Sequence, residues 1–282
     1  MSEAGSGADQ VRPDDADIDV RRARLLVAYD GAGFHGFAAN TGVRTVLGDL
    51  QEAIARIVRR HVELTGAGRT DAGVHAWGQV VSGDLPAATD LDDLARRLNK
   101  LCGPQISVRD AAWATPDFDA RFSARWRHYR YHVWNDPAPN PLEATRSWHV
   151  ARPLVLWAME AAGDPLVGEH DFSSFCRRPK VLPGTEPPSM VRRVLWLGWR
   201  RLGESPMLRF EIRATSFCHQ MVRSIVGTMV DVGAGRQSAG EVNAILRAGD
   251  RAVAGTVAPP HALVLWEVGY DDAPWRRAPG DA

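Results

Sequence analysis

The chain has almost no lysine. Of its 34 basic residues only Lys100 and Lys180 are lysines, so its cationic surface is built from guanidinium groups. Arginine suits bidentate pairing with phosphate and stacking on planar bases, although a GC-rich genome produces the same bias with no functional cause. Cysteine is scarce as well. Cys102, Cys176 and Cys218 are odd in number, far apart and without a C-x-x-C pair, which argues against a disulfide framework and against a structural zinc site. No segment approaches the roughly 20 consecutive apolar residues of a membrane span. Net charge is lacking too, at a formal +0, so any contact with nucleic acid must come from a local basic patch. The opening stretch, MSEAGSGADQVRPDDADID, has no apolar core and carries acid where a signal peptide carries base. It is expected to be a disordered acidic leader, residues 1–22, on a cytoplasmic protein with no membrane partner.

What is present is ordinary globular material: 282 residues, 45% apolar and 24% charged, enough for two modest domains. In the first half a strand is expected at Arg24–Tyr29, then a helix from Thr45 to Arg60 with Val46, Leu50, Ile54, Ile57 and Val58 on one face. Short strands at Val62–Thr65 and Trp77–Ser82 precede a second helix, Thr89–Lys100, which Thr89 and Asp92 would cap. A strand at Ile106–Trp113 closes this half. The pattern restarts with RWRHYRYHVW (125–134), which alternates as a half-buried strand does. Then come a helix at Leu154–Ala162, an irregular Pro-rich loop over Cys176–Met190, and strands at Val191–Arg200 and Met207–Ala214. A strongly apolar helix is expected at Phe217–Val232, stopped by Gly233 and Gly235. Ser238 and Glu241 form a capping box for a last helix, and Ala262–Val268 is the final strand. Hairpins mixed with helices in two halves imply an α+β fold with largely antiparallel sheets. The domains are placed at 23–118 and 119–270, with a tail at 271–282.

Gly31, Gly33 and Gly36 spell G-x-G-x-x-G directly after a strand, the pattern of a dinucleotide site. That pattern works only where a helix N-terminus opens inside it to receive the pyrophosphate. The following FAANTGVR is turn-rich, and the helix begins about ten residues too late for the motif. A loop beside a substrate site is the better reading.

The most unusual stretch is GAGRTDAGVH (66–75). Small residues flank Arg69 and Asp71, so a ligand can approach the backbone closely. In extended chain these two side chains point the same way, and a neighbouring guanidinium keeps a carboxylate ionised. An ionised, oriented carboxylate serves as a nucleophile or a charge stabiliser. An Asp-Gly-type turn capped by arginine would have the same local sequence, and spacing alone does not choose between them.

GAGRTDAGVHAWGQV (66–80) closely resembles the catalytic motif of the tRNA pseudouridine synthase A family. The similarity continues through YDGAGFHGF (29–37), ARFSARWRHYRYHVWN (120–135), HDFSSF (170–175) and FCHQMVRSIVGTMVDVGAGR (217–236), in the family's order. The resemblance implies that Asp71 is the nucleophile, Arg69 its salt-bridge partner, Tyr129 the tyrosine stacked on the target base, and Arg223 the helix arginine reaching the same pocket. It further implies two RRM-like α+β domains with the catalytic cleft between them, a homodimer, and no metal or organic cofactor. The expected reaction is conversion of uridine to pseudouridine at positions 38, 39 and 40 of the tRNA anticodon stem-loop.

The residue types fit that chemistry. Breaking C1′–N1 and forming C1′–C5 needs neither a redox carrier nor an energy source. A carboxylate can attack C1′ or assist elimination to a glycal, and the sequence leaves both routes open. Arg177, Arg178 and Lys180 on the Pro-rich loop are candidate phosphate contacts, though such clusters are more often simply solvated. Tyr129, with Arg125 and Arg127, also fits the solvated face of a strand, and Arg223 fits an exposed helix position. His75 and His219 read as structural histidines. The chain departs from the family at Phe37-Ala38-Ala39-Asn40, at LCGPQI (101–106) and at His261-Ala262, places that bear on how RNA is positioned. A diverged enzyme acting on a smaller nucleotide and a silent RNA-binding protein are the alternatives.

Overall fold

The computed structural model describes residues 19–178 and 184–271. The acidic leader up to residue 18, Lys180 and the tail beyond residue 271 lie outside them. The first half runs β1 (Val20–Tyr29), α1 (Val46–Val58), β2 (Thr65–Gly66), β3 (His75–Pro86), α2 (Leu91–Cys102) and β4 (Ile106–Trp113). The second runs β5 (Trp126–Trp134), β6 (Trp148–His149), α3 (Leu156–Ala161), β7 (Gly168–Asp171), β8 (Val191–Arg201), β9 (Met207–Ala214), α4 (Met221–Gly233), α5 (Glu241–Ala248) and β10 (Leu263–Gly269). The fold is α+β.

The alternation of β1 sends Ala23, Leu25, Val27 and Tyr29 into the core. α1 starts where the Thr45 hydroxyl accepts the Gly48 N–H at 3.2 Å, and it stops where Arg59 turns left-handed at φ 60°. Its stripe of Val46, Leu50, Ala53 and Ile54 is buried. α2 is capped by Asp90, not by Thr89. The Asp90 carboxylate accepts the N–H groups of both Asp92 and Asp93, a reach to the second and third helical amides that an acidic side chain one residue later makes best.

α4 begins at Met221, four residues after the expected Phe217, because Gln220 sits at φ 65° and breaks the helical path. Every residue of α4 except Arg223 is buried. The helix is covered on all sides, and Gly227 makes this possible: a Cβ there would lie 1.6 Å from the Thr256 carbonyl oxygen of the segment crossing over it. Before α5 the Glu241 carboxylate accepts both the N–H and the hydroxyl of Ser238, half of the expected capping box: the helix begins at Glu241 itself and its N-cap, Gly240, has no side chain to give.

The ten strands form a single sheet in the order β4-β1-β3-β10-β5-β9-β8-β7, with β2 beside β3 and β6 beside β5. All pairings are antiparallel except β3–β10 and β5–β6. The last strand in sequence is thus inserted at the centre, joining the halves. That seam is short, His75 opposite Val264 and Ala76 opposite Leu265, and it lies just past Asp71. On the other side of β10, Leu265 faces Tyr129 of β5. Two strand spacings, about 10 Å, therefore separate Tyr129 from the strand that follows Asp71. No helix among the described residues is long and apolar enough to cross a membrane.

Candidate active site

The segment leading to Asp71 is held by side chains from three strands and one loop. From β3, the Gln79 amide donates to the Gly68 carbonyl at 2.7 Å, and its oxygen accepts the Gly68 N–H at 3.3 Å. From β1, the Tyr29 and Thr70 hydroxyls share a hydrogen bond of 2.7 Å. From β5, the Arg127 guanidinium donates to the Ala67 carbonyl through Nε at 3.2 Å and Nη2 at 2.9 Å. From the loop after β1, the Phe37 N–H donates to the Thr70 carbonyl at 3.1 Å. The Val74 N–H then closes a turn onto the Asp71 carbonyl at 3.1 Å.

The glycine-rich loop is a brace for this segment and not a phosphate cradle. Gly36, at φ 99°, lies so close to it that a Cβ would stand 3.1 Å from the Thr70 carbonyl oxygen. Phe37 is buried, stacks on Tyr29, and its ring occupies the space a Cβ on Gly66 would need, 2.2 Å away. The departure at 37–40 therefore divides. Phe37 is packing, while Ala38, Ala39 and Asn40 line the mouth of the cleft.

Asp71 is one-quarter exposed at the floor of that cleft, and both its oxygens are engaged. Arg223 Nη1 lies 2.9 Å from Oδ2, and His219 Nε2 lies 3.2 Å from Oδ1. Arg223 is itself fixed, since its Nε donates to the Ala258 carbonyl at 2.7 Å. The expected Arg69–Asp71 pair is not formed. Arg69 is exposed on the cleft wall and makes no ion pair among the described residues. Both residues line the cleft, but the Asp71 carboxylate is taken by Arg223 and His219 instead.

Tyr129 is not on a solvated face. It is buried, packs edge-on against Phe217 with ring centroids 5.0 Å apart, and borders the cleft. Burial pushes its hydroxyl well above the usual phenol range; the Asp71 charge adds to this and Arg127 opposes it. The phenol therefore stays protonated at any working pH. Arg127, equally buried, also donates to the carbonyls of Arg121, Ala124 and Thr215, and burial lowers its pKa. Pinned by four carbonyls, it clamps the Asp71 loop to β5.

Of the loop residues, Arg177 lines the cleft mouth beside His219. Arg178 is drawn away to the Gly249 carbonyl at 2.9 Å, and Lys180 is outside the described residues. The cleft has a volume of about 960 Å³, and its wall adds Arg121, Arg192 and Phe217. His75 is structural: it accepts the Gly31 N–H at Nδ1 (3.0 Å) and bonds the His261 carbonyl through Nε2 (2.9 Å). His219 is not. Its signal was present in the sequence, because it stands four residues before Arg223.

One expectation about cysteine is overturned. Cys176 and Cys218, 42 residues apart, form a disulfide with their Cα atoms 5.8 Å apart. Sequence distance hides that their backbones run side by side, with the Arg177 N–H donating to the His219 carbonyl at 2.9 Å. Cys102 is a free, half-buried thiol that burial and Asp49 push up.

A family model described as tRNA pseudouridine synthase matches residues 162–271. A protein named tRNA pseudouridine synthase A from Frankia casuarinae is 44% identical over 255 residues, covering 90% of each chain. The chain belongs to the tRNA pseudouridine synthase A family. Proteins of the same name from Rhodospirillum rubrum and Bacillus velezensis are 42% and 38% identical, across 88% and 89% of this chain and 87% and 100% of theirs. In this pseudouridine synthase the matched span 162–271 carries Arg223, His219 and the central strand β10, while Asp71 and Tyr129 lie in the wider region shared with those relatives.

Proposed function

We propose that this pseudouridine synthase isomerises uridine in tRNA with Asp71 as its nucleophile. The observation that carries the reading is an ionisable carboxylate at the floor of an open, arginine-lined cleft, gripped by a guanidinium from a distant helix. A guanidinium bonded to a carboxylate oxygen favours the ionised form and fixes its direction. Such a group can attack C1′ through an oxocarbenium-like transition state, or assist loss of the base to a glycal. A retaining glycosidase adds a carboxylic acid that protonates its leaving group. Among the described residues no second carboxylate pairs with Asp71, which suits a uracil that leaves as an anion and is kept in place until C5 replaces N1. Tyr129, rigid against Phe217, offers the ring on which that base rests. A base stacked in RNA must first be extruded, at a cost of a few kcal/mol.

The finer reading follows the family. The targets are the uridines at positions 38, 39 and 40 of the anticodon stem-loop, and the enzyme is a cytoplasmic homodimer. Two RRM-like domains, 23–118 and 119–270, enclose the cleft. The order β4-β1-β3-β2 with α1 and α2 in the connections supports the first of them. Arg69 and Arg177, both directed into the cleft lining, and with them Arg178 and Lys180, are assigned to RNA phosphates. The test is to incubate the protein with unmodified tRNA transcripts and map pseudouridine. Conversion at 38–40 that is lost in Asp71→Asn supports the proposal. Conversion of free uridine monophosphate with tRNA inert replaces it with the small-nucleotide reading.

A further inference from the structure

We propose that His219 is a positioning residue for Asp71, holding and covering Oδ1, the oxygen that faces the sugar, and releasing it when the imidazole loses its proton. The inference rests on the reading of Asp71 as nucleophile and adds which oxygen attacks and what controls it.

The two oxygens of Asp71 are held unequally. Oδ2 belongs to Arg223, whose side chain is 14% exposed and whose Nε is anchored to the Ala258 carbonyl. Withdrawing that guanidinium would break both bonds. Oδ1 belongs to His219, whose side chain is 48% exposed and whose ring makes no other hydrogen bond among the described residues. Only the imidazole can leave without disturbing the fold, so Oδ1 is the oxygen the cleft can offer to C1′.

The ring is nevertheless placed rather than adrift. Cys218 before it is bonded to Cys176, its own carbonyl accepts the Arg177 N–H, and Gln220 after it holds a left-handed backbone. Three successive residues are thus constrained, and the imidazole between them is directed at the carboxylate.

Protonation sets the strength of the contact. An imidazolium donates a charge-assisted hydrogen bond and draws negative charge from Oδ1. A neutral ring has one acceptor nitrogen, and in the tautomer that turns Nε2 into an acceptor it has no bond to give. Lining the cleft with the ring are Asp71 and Arg69 on the loop after β2, Arg223 on α4, Arg177 across the backbone pair and His35 on the loop before α1. Tyr129 of β5 and Arg192 of β8 complete the deeper wall, and the phenol does not ionise in this range.

The experiment is single-turnover conversion of saturating tRNA by the full chain from pH 5.5 to 8. The parent rate is expected to fall toward the acid end of that range. His219→Asn removes that limb, so the ratio of variant to parent rate climbs severalfold, by roughly tenfold per pH unit at most, toward the acid end. His219→Lys, a cation at every pH tested, is expected to be slow throughout. Parallel profiles for parent and His219→Asn overturn the proposal, and so does an acid limb that disappears in His35→Asn instead. Turnover by Asp71→Ala would sink the nucleophile reading itself, whatever His219 does.

Discussion

Arg223 Nη1 meets Asp71 Oδ2 at 2.9 Å across 152 residues of sequence. The guanidinium is the buried counter-charge of the carboxylate, and it is presented by the one residue of α4 that escapes full burial. Removing it leaves Asp71 with a half-exposed imidazole as its remaining partner. Arg223→Ala is expected to lower the single-turnover rate by on the order of 100-fold or more, as misplacing a reacting group by about 1 Å does. Arg223→Lys keeps the charge but cannot bond Asp71 and Ala258 together, and should recover only part of the loss. A rate for Arg223→Ala within threefold of the parent would show that the bridge does not orient the nucleophile.

Tyr129→Phe keeps the ring against Phe217 and deletes the hydroxyl. The tRNA dissociation constant should stay within a few-fold of the parent while the chemical step slows. Filter binding beside single-turnover kinetics separates the two. Equal losses in both would reduce the tyrosine to a binding platform.

Affinity for tRNA must come from a lining of arginines on a chain of zero net charge. Counterion release then makes log K fall with log salt by about 0.7 to 0.9 per phosphate neutralised. Arg69→Ala and Arg177→Ala should each flatten that slope by about one unit of phosphate. Arg178→Ala, whose side chain turns to Gly249, should flatten it less. A slope indifferent to Arg69 and Arg177 would remove them from the RNA surface.

On the face of β5 opposite Tyr129, burial and then Arg130 lower the His132 pKa to about 4 from 6.5, with Glu211 opposing. Between those values the unfolded chain takes up a proton that the folded chain refuses, so stability falls as pH falls through this window. The contribution approaches about 1.4 kcal/mol per pH unit. Urea unfolding at pH 7 and pH 4.5 should show a smaller acid loss for His132→Gln than for the parent. An identical loss would mean the imidazole is hydrated in the folded state.

Local pattern carried the elements well where it carried the physics. Ile106–Trp113 and Met207–Ala214 are strands with the expected bounds because alternation and flanking turns suffice to define them. It carried less where a distant partner decides. The place of β10 between β3 and β5 depends on pairings more than 100 residues away, and no periodicity records them. The same holds at the site. Arg69 and Asp71 looked paired because they are neighbours in sequence, but distant side chains take up the carboxylate. Asp71 and Arg223 are paired in space, and only resemblance to a family put them together. Cys176 and Cys218 repeat the lesson: spacing excluded a motif, not a contact.

The insertion of β10 at the middle of the sheet has a consequence for synthesis. The ribosome delivers Asp71 well before Arg223, Ala258 and the strand that lies between those of His75 and Tyr129. A nascent chain thus carries the Asp71 carboxylate with no counter-charge and no completed cleft. The site is complete only when the last strand takes its place between two that have been waiting for it.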